Sequence, residues 1–363
     1  MTEITMQLRN LTRSMARRAG VTAAASLVLA GLAVAGEPDR GVLVLTSTND
    51  PSTNQVLVYQ LERGSEAALA LVQTLPTGGR GGAAGNAGIL QMKDDFGAVA
   101  NYGSSDVSEL VRDGDFIEVR GRIKLAAGCA KPDSVALTDE QLFVAGANCV
   151  ESHLWPSGIL DGAVVHLSDA SAAQVAVGTS WGAVTFTSGA LEQVGLTRWG
   201  ALSGSVASVA LPGNADNTPL GAAFWGDTLG FTPAHSPDSF AVVDAQRNVY
   251  PIVGPTPPYP TNAPCWVAKG PGNVWYTGNS PGQAISIFFT DAKGGVFYKS
   301  VPLPGAPTDV AVSKDRKWLA VIYSANGSGY VAVFAIDRYG DLTAEATSQP
   351  IGVAAFNGVT ISE

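Results

Sequence analysis

The feature that most limits what this chain can fold into is a repeat. The stretch APCWVAKGPGNVWYTGNSPGQAISIF, from Ala263, and the stretch APTDVAVSKDRKWLAVIYSANGSGYVAVF, from Ala306, follow one script. Each opens on Ala-Pro and runs through a short apolar strand and a polar turn into a second strand beginning at Trp275 or Trp318. An Asn-containing turn then leads to a third, alternating strand. The offset is about 43 residues, within the period of propeller blades. No single unit of this kind can cover its own apolar face, so the period demands stacked neighbours.

Weaker copies begin at Asn86 (NAGILQMKDDFGAVANYGSSDVSELV) and Lys131 (KPDSVALTDEQLFVAGANC). The copies from Ala172 and Pro219 keep the strands but lose much of the turn chemistry. At the N-terminal end, GVLVLTSTNDPSTNQVLVYQL from Gly41 lacks a first strand, and IGVAAFNGVTIS from Ile351 supplies one. Pairing the two ends closes the ring and removes its exposed edges. The expectation is an all-β, seven-bladed β-propeller over residues 38–363, with six or eight blades as the alternatives left open by the faint middle. Abundant glycine and proline (42 and 21 residues) and only 15% charged residues suit short strands joined by tight turns. A net charge of -9 argues against a surface for nucleic acid, which needs clustered Lys and Arg.

Residues 1–35 read differently. Arg9, Arg13, Arg17 and Arg18 precede the apolar run VTAAASLVLAGLAV, and small residues at Ala33 to Ala35 suit signal peptidase. That run is shorter than the roughly 20 residues needed to span a bilayer. We therefore expect a signal peptide over 1–35, a single propeller domain over 36–363, a secreted or periplasmic location, and no membrane span in the mature chain. An oxidising compartment makes a disulfide available to the three cysteines. If KPDSVALTDEQLFVAGAN is a hairpin turning at Asp139 and Glu140, Cys129 and Cys149 lie at similar distances from the turn and face one another. Cys265 is then the odd thiol, a buried apolar filler or a reactive group.

The opening GVLVLTSTNDPSTNQVLVYQL, the following PTGGRGGAAGNAG, the APCWVA start and the APTDVAVSKDRKWLAVI blade together resemble the lactonase-like seven-bladed propellers. That family includes bacterial 6-phosphogluconolactonase and fungal 3-carboxymuconate cyclase. The resemblance implies a central cleft toward which blade starts, a proline followed by His or Arg, direct basic side chains. The corresponding positions here are Asp133, Cys265 and Thr308, which supply no positive charge for an oxyanion. It also places the loop bearing Arg80 near the central opening, making Arg80 a candidate anion contact.

Among the histidines, His153 lies near Glu151 and Trp155, and His235 is flanked by prolines and followed by Asp238; either fits a general base. His166 reads as a strand residue. Asp133 is a further candidate base. No cysteine, histidine or carboxylate spacing matches a metal site, and GGRGGAAGNAG lacks the Gly-Lys-Ser/Thr ending of a phosphate loop, so no metal or cofactor is expected. Asn101, Asn148, Asn279 and Asn326 recur after second strands, where Asn tolerates left-handed backbone and its side chain hydrogen-bonds nearby amides. Trp266, Trp275 and Trp318 keep the blade register and read as packing, whereas Trp155, Trp199 and Trp225 fall outside it and are pocket candidates. Two functions fit. The first is a monomeric binding module for a small-molecule ligand or an extracytoplasmic protein partner, with Arg80, Cys265 and Trp225 at the ligand. The second is a lactone hydrolase or cycloisomerase using His235, His153 or Asp133.

Overall fold

The computed structural model describes residues 40–62, 68–213, 218–234, 238–253, 263–291, 293–352 and 356–363. The segment read as a signal peptide, and His235, lie outside these residues. Seven antiparallel sheets follow one another along the chain, six of them built from consecutive strands. The first is composite: Asn357–Ser362 pairs with Val42–Ser47, and Gln55–Glu62 and Ala68–Pro76 follow outward. The ring is thus closed across the two ends of the propeller, as the repeat predicted. Arg112 fastens the closure from blade 2: its guanidinium donates to Ser362 Oγ (3.0 Å) and to the Gly41 carbonyl (2.6 Å).

The core lies between blades rather than around the axis. In Val42–Ser47, Leu43 and Leu45 pack toward blade 2, while Val42 and Val44 pack toward blade 7. Side chains alternate across a strand, so a strand covered on both faces has no polar side to show, and all six residues are buried.

The innermost strands of blades 2 to 7 are Leu90–Lys93, Ser134–Leu137, Ala172–Val177, Pro219–Trp225, Pro264–Lys269 and Ala306–Val312. With Asn357–Ser362 they line the axis. Each is an edge strand with backbone groups that no fifth strand satisfies. Side chains from the neighbouring blade fill this role. Gln91 Oε1 accepts from Leu137 N (3.2 Å), Ser134 Oγ from Val175 N (3.2 Å), and Gln174 Oε1 from Ala222 N (2.6 Å). Thr232 Oγ1 donates to the Cys265 carbonyl (3.1 Å), Asp309 Oδ2 accepts from Val359 N (3.3 Å), and Thr360 Oγ1 accepts from Met92 N (3.1 Å).

Cys129 and Cys149 form a disulfide with a Cα–Cα distance of 5.7 Å. The turn between Leu137 and Gln141 is the expected one, and the bridge ties the connection from blade 2 to the first residue of the strand Cys149–Leu154. For the recurrent asparagines, the left-handed backbone needs correction, while side-chain hydrogen bonding is what Asn101 and Asn279 do. Only Asn326 of the four has positive φ. Asn101 and Asn279 end their strands as buried cross-links instead: Asn101 Nδ2 donates to Asp106 Oδ1 and Ser108 Oγ (both 2.8 Å), and Asn279 Nδ2 donates to Ser286 Oγ (2.6 Å). A short amide reaching the next strand satisfies buried polar groups that a turn residue would leave to water.

Candidate functional site

Three spaces lie along the inner strands. Midway, a cavity of about 280 Å³ is walled mostly by Leu, Val, Ala and Met side chains, with Gln91, Gln174, Asp309 and Thr360 among them. At the end where the inner strands finish, a broader groove of about 640 Å³ is bordered by Asp139, Glu140, Arg198 and Trp199. At the end where they begin, a cavity of about 420 Å³ forms the mouth.

The mouth follows from a repeated irregularity. In blades 4 to 7 and in blade 1 the inner strand slips register against its neighbour within its first few residues. A bulge re-aims a side chain. Leu220, Cys265 and Thr308 lie at these slips, and all three line the mouth cavity, with Trp266, Phe356 and Asn357 beside them. The loop Ala83–Asn86 completes the wall. Asn49 holds that loop, accepting from Gly82 N (2.8 Å) and Ala83 N (3.0 Å) and donating to the Ala83 carbonyl (2.7 Å). Gly81 is required there, since a Cβ would lie 2.3 Å from the Asn49 carbonyl carbon. Gly221 similarly lets the inner strands of blades 5 and 6 meet, a Cβ there coming within 2.7 Å of the Cys265 carbonyl oxygen.

Part of the mouth's polar lining forms a chain centred on Asn86. Asn86 Nδ2 donates to the Asp133 carbonyl, and Asn357 Nδ2 donates to Asn86 Oδ1. Trp266 Nε1 donates to the Asn86 carbonyl (3.3 Å). Cys265 Sγ donates to the Ala263 carbonyl (3.3 Å), and Thr308 Oγ1 donates to the Ile322 carbonyl (3.5 Å). Asn357 Oδ1 is buried and has no partner.

The predicted residues scatter. Cys265 is at the mouth, but burial pushes its thiol up to about 11, so it is a protonated, poorly nucleophilic group. Asp133 immediately precedes the inner strand of blade 3 and is buried; burial drives its carboxyl up to about 7, against the pull of Lys131. Its backbone joins the Asn86 chain, while its carboxyl is not among the groups lining the mouth cavity. Arg80 is exposed and donates to the Gly103 carbonyl (2.8 Å), outside that lining. His153 is buried in the third strand of blade 3, with Nδ1–H donating to the Gly158 carbonyl (3.0 Å) and Nε2 hydrogen-bonded to Glu151 Oε1 (2.9 Å). Glu151 Oε2 in turn accepts from Ala126 N (2.8 Å), a cross-link within the blade. Trp225 ends the inner strand of blade 5, with the Lys269 ammonium 4.6 Å from its ring. Three carbonyls also hold that ammonium, those of Gly270, Gly272 and Val274. Trp155 is partly buried against the core shared by blades 1 to 3, and Trp199 borders the far groove. His166 is exposed.

Sequence reading missed Asn86, Asn357 and Asp309, and read Trp266 as packing where it lines the mouth. Asn86 and Asn357 do begin a blade segment and the closing strand, and that place in the repeat was the available signal. Among the described residues, no cluster of His, Cys, Asp and Glu could hold a metal.

With the ring and its mouth defined, the likeness to solved structures is informative. A protein from Lactobacillus plantarum superposes with a TM-score of 0.68 at 13% identity, covering 89% of this chain and 100% of the other. The periplasmic gluconolactonase of Pseudomonas aeruginosa gives 0.62 at 15% identity, covering 89% and 99%. The fold is that of the lactonase-like seven-bladed propellers. The virginiamycin B lyase of Staphylococcus aureus, at a TM-score of 0.54 and 11% identity, covers 77% of this propeller and 94% of its own chain. No family model and no curated protein sequence matches the chain. No helix among the described residues is long and apolar enough to cross a membrane.

Proposed function

We propose that this lactonase-like propeller is an exported ligand-binding module that holds a small molecule in the mouth cavity. The observation that carries the reading is the chemistry of that wall. It has space of about 420 Å³, within the range of ligand pockets, yet among the described residues no Lys, Arg or His lines it. Its thiol is held protonated, and its side-chain donors, apart from the Ser280 hydroxyl, are engaged by carbonyls or by a neighbouring amide. A site that must stabilise a developing oxyanion needs free donors aimed at it.

Export rests on the basic and apolar pattern of residues 1–35 and is compatible with the bridge between Cys129 and Cys149. Mass spectrometry of the protein recovered outside the cytoplasm should give a chain starting just after Ala35. An intact N-terminus on protein retained in the cytoplasm would remove this part of the reading.

One observation favours a second reading, lactone hydrolysis: a carboxyl poised near 7 at Asp133 suits general acid-base work. A hydrolysis screen of the purified chain against neutral, carboxylated and phosphorylated lactones separates the two. Binding without turnover supports the module; turnover abolished by Asp133→Asn establishes the enzyme.

A further inference from the structure

Tryptophan has more apolar surface to bury than most side chains, and Trp181 and Trp275 are buried inside the propeller. Trp199 is held out instead, 66% exposed, on the border of the far groove of about 640 Å³. It sits in the turn between Leu191–Leu196 and Leu202–Ser208 of blade 4. That turn fixes its place: Thr197 Oγ1 accepts from Trp199 N (3.3 Å), the Thr197 carbonyl accepts from Gly200 N (3.0 Å), and Gly200 takes a positive φ of 82°. The Arg198 guanidinium lies over one face of the ring, 4.6 Å from its centroid, which leaves the other face as the open one. The indole thus presents a flat apolar plate to whatever enters the groove.

The charged groups around that plate state what can enter. Asp139 and Glu140 are exposed in the first turn of blade 3, between Ser134–Leu137 and Gln141–Gly146. Asp139 pairs with Lys93 (2.9 Å), whereas Glu140 has no ion pair among the described residues. Two carboxylates against Lys93 and Arg198 leave the described lining neutral. A cation seeking the indole would meet Arg198 already seated on it. An anion would meet the Glu140 carboxylate on a chain of net charge -9. A neutral sugar meets neither obstacle. Its C–H face lies flat on an aromatic ring, and its neighbouring hydroxyls donate to a carboxylate and accept from a guanidinium.

We infer that the far groove is a second binding site, for a neutral oligosaccharide, with Trp199 as the stacking plate and Glu140 and Arg198 as the groups that read its hydroxyls. The groove alone carries this, whether or not the mouth holds a ligand. The repeat supplies a matched control. Arg338, Tyr339 and Gly340 rebuild the turn in blade 7, with Arg338 4.5 Å over the Tyr339 ring, Gly340 at a φ of 88° and the tyrosine 63% exposed. Tyr339 does not border the groove.

The test is calorimetry of the purified protein with cellohexaose, xylohexaose, maltohexaose and chitohexaose, and with hexagalacturonate as the acidic counterpart. At least one neutral chain should bind, and hexagalacturonate should not. Trp199→Ala should weaken that binding about tenfold, Trp199→Phe should keep part of it, and Tyr339→Ala should leave it unchanged. Glu140→Ala should weaken it about fivefold. Trp199→Ala and Tyr339→Ala each remove an exposed ring from the same kind of turn, so a general effect on the fold is common to both and their difference reads the groove. The inference is overturned if none of the neutral chains binds, if hexagalacturonate binds as tightly as they do, or if Trp199→Ala weakens binding no more than Tyr339→Ala. Each of these results leaves the mouth reading as it was.

Discussion

Replacing Asp309 by Asn should change how stability responds to pH, by an amount the structure sets. The Asp309 carboxyl is buried at the axis, where Oδ1 accepts from Val310 N (2.8 Å) and Oδ2 from Val359 N (3.3 Å). Both bonds favour the carboxylate, but burial outweighs them and raises the group from 3.8 to about 7. The fold therefore prefers the protonated form. Stability from this group is fully present below its unfolded value, is lost as pH rises toward 7, and is constant above. At 1.36 kcal/mol per unit, a rise of roughly three units amounts to about 4 kcal/mol. Asn is neutral throughout. Its advantage over the parent should therefore grow by about 4 kcal/mol between pH 4 and pH 8, whatever constant offset comes from exchanging an acceptor for a donor. Asp133, raised for the same reason, titrates in both proteins and cancels. Urea unfolding of both proteins at half-unit steps gives the difference directly. A difference flat in pH, or one that shrinks as pH rises, would refute the claim that burial governs this carboxyl.

Four further outcomes follow from the geometry. His153→Ala should cost about 1–3 kcal/mol in denaturant unfolding, because it leaves the buried Glu151 Oε1 without its hydrogen-bond partner, while mouth binding stays intact; loss of binding in a folded variant would return His153 to the site. The double change Cys129→Ala and Cys149→Ala should lower stability by about 3 kcal/mol, the loop-closure value for a bridge of this span, and an unchanged midpoint would deny the bridge that role. Cys265 should alkylate at pH 7.5 with roughly one hundredth of the thiolate fraction of an ordinary cysteine, and its rate should climb tenfold per unit to about pH 10; a plateau near pH 8 would contradict the buried environment. Arg112→Ala should destabilise the ring closure, read as faster hydrogen exchange in Asn357–Ser362 than in the inner strands of blades 3 to 5; uniform exchange would show the closure does not depend on it.

Much of the architecture was legible because it is periodic. Trp275 and Trp318 mark the same strand in successive blades, and the orphan strand from Ile351 answered the missing one near Gly41. The site was far less legible. His153 and Glu151 looked catalytic by proximity, yet the pleat turns both into a blade, where each satisfies the other. Cys265 was noticed for its position after a proline, but not the register slip that aims it at the mouth. The asparagines drew attention as turn residues, when Asn101 and Asn279 are cross-links and the two that matter at the mouth, Asn86 and Asn357, are 271 residues apart.

The sequence alone determined the blade period, and with it pointed to the closure of the ring and the pairing of Cys129 with Cys149, since strand alternation and the spacing of the copies are written in the chain. Only the tertiary structure decided the chemistry of the mouth. There, the side chains at the register slips of blades 5, 6 and 7 meet Asn357 of the closing strand and the loop Ala83–Asn86, and a relay of two amides leaves one oxygen without a donor. A hydrogen-bond deficit belongs to an arrangement, and no single residue in the chain carries it.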